Sequence, residues 1–138
     1  MNNEILEISH WLHEKGFEPD MWTSATMSDG RYFFTDEPTG ESWMDIPYTF
    51  NQPYFTLNRV LELLPKIVSF DELTSAVGYE AGLRLDITDE HNCIGFGYFC
   101  CEYHCYIKDF FIEVEGSYHL AALRLLKKTV EEGYVKAN

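Results

Sequence analysis

The chain has 138 residues, with 23 acidic and 10 basic side chains and a formal net charge of −13. This acidic excess argues against direct binding to nucleic-acid phosphates or anionic membranes, because both attract lysine and arginine and repel carboxylates. Hydrophobic residues make up 46% and aromatic residues 16% of the sequence, well above the composition of a disordered acidic tail. We therefore expect one folded domain over residues 1–138.

The first residues of the sequence predict a helix and no export signal. They lack both a cationic start and the continuous apolar run of a signal peptide. We therefore expect a soluble, cytoplasmic protein. Its four cysteines, Cys93, Cys100, Cys101 and Cys105, should stay reduced there, so no disulfide framework is predicted.

The first half of the chain predicts a helix, a hairpin and a long loop. Apolar residues recur at helical spacing from Asn3 until Gly16, which suits the left-handed residue that ends a helix. Residues 21–34 are rich in strand-forming residues and are interrupted by Ser-Asp-Gly, which predicts two antiparallel strands. Residues 35–55 contain three prolines and no sustained period, which predicts a loop.

The second half of the chain predicts helices at both ends and strands between them. A leucine helix follows Thr56 and ends before Pro65, and a closing helix follows the cap Ser117. Between them, Ser69 and Glu72 favour a short helix, although residues 67–70 could equally form a strand. Alternating apolar residues predict a hairpin over residues 83–99 and one or two strands over 102–114. These elements predict an α+β fold, with one antiparallel sheet of about five or six strands and helices packed on one face.

One short segment of the second half is rich in potential zinc ligands. Its thiol and imidazole groups are the ligand types of tetrahedral zinc sites. The weak candidates are His91, Cys93, Cys101, His104 and Cys105. The spacing from Cys101 to His104 or Cys105 approaches that of a zinc knuckle, but the other half of the segment lacks a matching pair. The favoured interpretation is therefore that these cysteines act as small hydrophobic residues of a buried sheet, with no cofactor.

The long loop combines acidic and aromatic residues. Aromatic side chains anchor protein interfaces, and surrounding carboxylates steer a basic partner towards them. The candidate binding residues are Asp36, Glu37, Glu41, Trp43, Asp45, Tyr48 and Phe50. The alternative is that the aromatic rings pack onto the core while the acidic groups face water.

Readable catalytic motifs are absent from the sequence. It has no nucleophile elbow, no phosphate-cradling glycine loop and no His-Glu-x-x-His pattern. Neighbouring carboxylates such as Asp86, Asp89 and Glu90 are expected by chance among so many acids. We therefore predict no catalytic residues and no enzymatic activity.

Parts of the second half resemble small accessory proteins encoded by phages and prophages of gut bacteria. The resembling segments are the leucine helix of residues 57–65, the strand residues 79–85 and 94–98, and the closing helix of residues 121–134. The resemblance implies a role in phage–host interaction and transfers no catalytic or binding residue.

The sequence as a whole favours a non-enzymatic, acidic protein-binding module. Its carboxylates could occupy the surface with which a basic, nucleic-acid-binding partner contacts phosphate, and so inhibit that partner. Two alternatives stay open at this point. One is a metal- or thiol-dependent protein that uses residues 91–105, and the other is an accessory protein that forms a homo-oligomer.

Overall fold

The computed structural model describes residues 3–28, 31–34, 49–70, 79–88 and 93–137. These residues form three helices and seven strands. In chain order the elements are α1 (Asn3–Glu14), β1 (Met21–Ser28), β2 (Arg31–Phe34), β3 (Thr49–Tyr54), α2 (Leu57–Leu63), β4 (Ile67–Phe70), β5 (Tyr79–Thr88), β6 (Cys93–Cys100), β7 (Cys105–Glu115) and α3 (Tyr118–Glu131). The chain divides into two compact units, one of residues 1–56 with 137–138 and one of residues 57–136.

The first unit contains α1 and a three-stranded antiparallel sheet in the order β2-β1-β3. The helix packs against β2 and β3 and buries Leu6 and Leu12. It ends at Gly16, whose φ of 98° is left-handed, and the N–H of Phe17 reaches back to the carbonyl of Leu12 at 3.1 Å. This arrangement is a Schellman cap, so the predicted helix and its glycine end are both confirmed.

The second unit contains a four-stranded antiparallel sheet in the order β4-β5-β6-β7, with α2 and α3. Helix α3 packs against β6 and β7, and α2 packs against α3. Ser117 caps α3 by accepting a hydrogen bond from the N–H of Leu120 at 3.1 Å. Gly133, with a left-handed φ of 83°, follows the end of that helix.

Alternate residues of the central strand β6 point to opposite faces of the four-stranded sheet. Ile94, Phe96, Tyr98 and Cys100 are all buried and lie on one face, which we call the covered face. Strands β4 and β7 add Phe70 and Phe110, whose rings lie 4.8 Å apart, and Lys128 of α3 lies over the Phe110 ring. The covered face is therefore the side of the sheet on which α3 packs.

The structure confirms the α+β class but not the single sheet of five or six strands. The described strands form two separate sheets instead. In addition, Thr49–Tyr54, predicted as part of a loop, is a strand that pairs with β1 over its whole length. Of the two alternatives at Ser69, the strand is confirmed over Ile67–Phe70, which pairs with β5, and the rest of the predicted short helix lies outside the described residues.

The other predicted helices and strands that fall on described residues agree with the structure. The two hairpins and the two helices of the second half form where they are expected. Residues 102–114 contribute one strand, β7. Among the described residues, no helix is long and apolar enough to cross a membrane.

Candidate functional site

The predicted aromatic and acidic loop falls largely outside the described residues. Those binding candidates that the structure does not describe are Asp36, Glu37, Glu41, Trp43, Asp45 and Tyr48. The backbone of Phe50 lies in β3, directly opposite Ala25 of β1. A binding role for this loop stays a prediction.

The cysteine- and histidine-rich segment spreads over both ends of β6. Cys93 begins the strand opposite Glu115, whereas Cys100 ends it opposite Cys105. At about 3.3 Å per residue, the seven steps from Cys93 to Cys100 span roughly 23 Å. Cys93 therefore cannot share a metal ion with the cysteines at the other end of the strand, and His91 lies outside the described residues.

The cysteines at the far end of β6 lie in a tight hairpin. Residues 101–104 form the turn, and Cys101, His104 and Cys105 are all exposed. In the described part of the chain, no three histidine, cysteine, aspartate or glutamate side chains are grouped so that they could hold a metal ion. The weak zinc candidates are thus brought together only in part, and the cysteines of this hairpin are not joined by a disulfide bond.

Sequence reasoning missed a second surface, on the face of the four-stranded sheet opposite the covered face. We call it the open face, because α3 packs on the other side. Its residues come from all four strands and share one side of the pleat. They are Ile67, Glu80, Gly82, Arg84, Asp86, Gly95, Gly97, Phe99, Tyr106 and Phe111.

Two glycines of β6 make room for aromatic rings on the open face. The ring of Phe111 lies against both Gly95 and Gly97, and a Cβ at Gly97 would lie 2.8 Å from Cδ2 of that ring. Tyr106 packs beside Phe111 with 4.2 Å between ring centres, and its ring meets Phe99 at 5.1 Å. The aromatic rings therefore cover the backbone of the central strand, where larger residues would not fit.

A polar network crosses the same face. The hydroxyl of Tyr106 donates a hydrogen bond to the carboxylate of Asp86. Arg84 lies 3.6 Å from the Asp86 carboxylate, and its guanidinium stands 4.5 Å from the centre of the Phe99 ring. Burial, followed by the hydrogen bond to Asp86 and its negative charge, raises the pKa of Tyr106 to about 12. Tyr106 is therefore a neutral hydrogen-bond donor at physiological pH and a poor general base.

A groove of about 490 Å³ runs along the edge of the open face next to this network. Its apolar lining includes Ile67, which is 63% exposed, and the partly exposed ring of Phe99. Glu80 of β5 and Glu102 of the hairpin turn add exposed carboxylates. No lysine or arginine is among the described residues that line the groove. An apolar surface beside exposed carboxylates suits a ligand that is both apolar and cationic.

A second, smaller pocket of about 190 Å³ lies at the end of α3. It is lined by Phe70, Phe110 and Tyr134, together with Lys128 and Glu132. The lysine ammonium lies 3.1 Å from the glutamate carboxylate, and this hydrogen bond is the main cause that raises the pKa of Lys128. Lys108 and Asp109 line it as well, so two lysines and two carboxylates balance in charge, and this pocket offers less to a charged ligand than the groove does.

The sequence does contain a signal for the open face. Gly95 and Gly97 alternate with large buried residues along β6, and glycine within a strand often marks a close approach of another group. Arg84 and Asp86 alternate in the same way along β5. What the sequence does not show is which rings fill the space above the glycines, since that depends on the register of β7.

Comparison with known proteins adds no relative on which to base a function. No protein-family model matches the chain, and neither curated proteins nor solved structures give a match. A function for this chain has to be inferred from the chemistry of its own surfaces.

Proposed function

We propose that this protein is a non-enzymatic, acidic protein-binding module that holds a basic segment of a partner protein in the groove of the open face. The observation that carries the proposal is the lining of that groove. Exposed Ile67 and half-exposed Phe99 lie beside Glu80 and Glu102, with no lysine or arginine among the described lining residues.

The side chains of arginine and lysine match this lining. Each has an apolar stem that can lie along an aliphatic or aromatic surface and a cationic head that seeks a carboxylate. In the proposed complex the stem contacts Ile67 and Phe99, and the head reaches Glu80 or Glu102. Arg84 of this chain stands 4.5 Å from the centre of the Phe99 ring, which is the kind of contact that an aromatic ring makes with a guanidinium.

The net charge of the whole chain favours a basic partner over a second copy of this protein. Two chains that each carry −13 repel one another, whereas a basic protein is attracted. A nucleic-acid-binding protein presents such a basic surface where it contacts phosphate. By covering that surface, the module would act as an inhibitor of its partner, as the sequence interpretation suggests.

The proposal is tested with two synthetic peptides of equal length, one alternating arginine and leucine and the other alternating glutamate and leucine. Binding to the full-length protein is measured by calorimetry and by the shifts of backbone amide NMR signals. We expect the arginine peptide alone to bind, with its shifts centred on β4, β5 and the hairpin turn. Its affinity should fall as salt is added, because charges are screened over about 10 Å at 0.1 M ionic strength.

Two double variants separate the groove from the overall charge. Glu80→Gln with Glu102→Gln removes two carboxylates from the groove, whereas Glu7→Gln with Glu131→Gln removes two exposed carboxylates elsewhere. At about 0.2 to 1 kcal/mol for each exposed charge pair, the groove variant should bind roughly twofold to thirtyfold more weakly. The control variant should bind nearly as well as the wild type. Equal weakening in both variants, or no binding at low salt, would refute the proposal.

The apolar half of the groove is tested by Ile67→Ser. This change leaves the charge unaltered and replaces a side chain that is 63% exposed, so the fold should not suffer. We expect weaker binding of the arginine peptide with an unchanged dependence on salt, because the electrostatic part of the interaction is intact. An affinity equal to that of the wild type would remove Ile67 from the proposed contact.

A further inference from the structure

The cysteines of the β6–β7 hairpin form a second chemical feature, which the proposed function does not use. Cys100 is the last residue of β6 and Cys105 the first residue of β7, and the two are direct partners across the antiparallel pair. Only the four turn residues 101–104 separate them. Residues directly opposite each other in such a pair direct their side chains to the same face of the sheet.

The spacing of this pair is compatible with a disulfide bond. Directly opposed residues of antiparallel strands have Cα atoms about 4.5 to 5.5 Å apart. Disulfide-bonded cysteines have Cα atoms roughly 4.4 to 6.8 Å apart, so no rearrangement of the strands is needed. Cys101, as the neighbour of Cys100, begins the turn, and Cys93 lies at the opposite end of β6. The register therefore selects one pair among the four cysteines.

We infer that Cys100 and Cys105 form a reversible disulfide bond by exchange with a low-molecular-weight disulfide such as oxidised glutathione. The two thiols differ in access, since Cys105 is exposed and Cys100 is only 2% exposed. This difference sets the order in which the two thiols react. The exposed thiol reacts first with the external disulfide, and the buried thiol then reacts within the hairpin.

The exchange balances in two steps. The thiolate of Cys105 attacks one sulfur of oxidised glutathione, a new S–S bond forms, and one glutathione thiolate leaves. The thiolate of Cys100 then attacks the sulfur of Cys105, the mixed disulfide breaks, and the second glutathione leaves. Both protein thiols have lost their protons to solvent or to the departing thiolates. The protein pair is oxidised, and one molecule of glutathione disulfide is reduced to two of glutathione.

The bond would restrain the turn that forms part of the groove. Cys101 and Glu102 lie in that turn and line the groove, and His104 has a left-handed φ of 52°. Closing residues 100–105 with a covalent link limits the fraying of this hairpin end. An effect on partner binding rests on the proposed function, whereas the disulfide itself does not. In a reducing compartment such bonds are mostly transient and serve redox sensing.

The inference is tested on the full-length protein equilibrated in buffers of reduced and oxidised glutathione, with free thiols trapped by alkylation. Intact mass then counts the thiols, and cleavage after Glu102 or Tyr103 separates Cys100 from Cys105 unless a disulfide joins the two peptides. The wild type should lose two thiols and yield the joined peptides, and reduction with dithiothreitol should restore both thiols.

Two serine variants assign the pair. Cys105→Ser and Cys101→Ser replace exposed thiols of the same hairpin, so both proteins should fold. We expect Cys101→Ser to form the joined peptides as the wild type does, and Cys105→Ser to form no intramolecular disulfide. Loss of the joined peptides in Cys101→Ser would overturn the inference. A glutathione adduct on Cys105 that never resolves, or a disulfide between two chains, would also overturn it. None of these readouts involves a partner, so a failure here leaves the proposed function standing.

Discussion

The two faces of the four-stranded sheet are covered in different ways. On the covered face, large residues such as Phe96 and Tyr98 are buried beneath α3. On the open face, the central strand has Gly95 and Gly97, and rings from β7 lie across them. The open face is thus covered by aromatic side chains of the sheet itself. This leaves Ile67 and the groove accessible to a partner.

The two faces also differ in the group that accepts a hydrogen bond from a tyrosine hydroxyl. Tyr98 is fully buried and donates its hydrogen bond to the backbone carbonyl of Pro65 at 2.9 Å. Burial raises the pKa of Tyr98 well above the ordinary value for tyrosine. Tyr106, on the open face, donates to the Asp86 carboxylate instead. On the covered face the tyrosine hydroxyl is thus bonded to a neutral backbone carbonyl, whereas on the open face it is bonded to a charged carboxylate near the groove.

The largest expected difference between the faces is in the cost of truncating a phenylalanine. Phe96→Ala should lower the free energy of unfolding by about 3 to 5 kcal/mol, because it empties a buried site. Phe99→Ala should cost only about 1 to 2 kcal/mol, since water already reaches part of that ring. Urea unfolding of both variants measures the difference. Equal costs would show that the open face is as well packed as the covered one.

A smaller effect is expected from filling the space above the central strand. In Gly97→Ala the new Cβ would lie 2.7 Å from the carbonyl oxygen of Phe110 and 2.9 Å from Cδ1 of Tyr106. Such overpacking should cost about 1 to 3 kcal/mol. Gly82→Ala is the matched control, because its nearest atom, the carbonyl oxygen of Lys66, is 3.9 Å away. Thermal unfolding of the two variants should separate them, and a neutral Gly97→Ala would mean that the rings do not pack this closely.

The smallest expected effect is a change in pH dependence. Tyrosine in the unfolded chain titrates near pH 10, whereas the pKa of Tyr106 in the folded protein is about 12. The folded state therefore holds a proton that the unfolded state has lost, and stability falls as the pH rises through this window. Tyr106→Phe should make that decline shallower. Urea unfolding between pH 9 and 12, with phenolate absorbance as a second probe, checks the change, and identical profiles would contradict it.

The helices were predictable because their signals are local. Gly16 and Gly133 follow the two long helices with left-handed φ values, Pro65 follows α2, and Ser117 caps α3 through the N–H of Leu120. Each of these residues acts on the backbone within one turn of itself. A single sequence therefore contains enough information to place the helix ends.

The errors concern strands, whose partners lie far away in sequence. Thr49–Tyr54 contains a proline and no clear alternation, yet it pairs with residues of β1 that lie 23 to 33 positions earlier in the chain. Ile67–Phe70 is short enough to suit a helix or a strand, and pairing with β5 decides between them. The division of the strands into two sheets has the same origin, because no local signal states which strand pairs with which.

The sequence predicted the chemistry of the candidate site but not its position in the fold. The acidic excess indicates a basic partner, and that expectation still motivates the proposal. The predicted loop lies mostly outside the described residues, whereas Glu80, Glu102 and Ile67 meet in a groove although they are distant in sequence. The cysteines show the same limit, since the sequence left a metal site only as a weak alternative and their register singles out Cys100 and Cys105.

By itself, the sequence determined the charge of this protein, its helices with their ends, and the alternation that gives β5 and β6 two faces. These features depend on composition and on neighbours a few residues apart. Only the tertiary structure decided that α3 packs on one face of the sheet, that aromatic rings from β7 lie over Gly95 and Gly97 on the other, and that Cys100 lies opposite Cys105. The physical reason is that pairing register and packing depend on contacts between residues far apart in the chain.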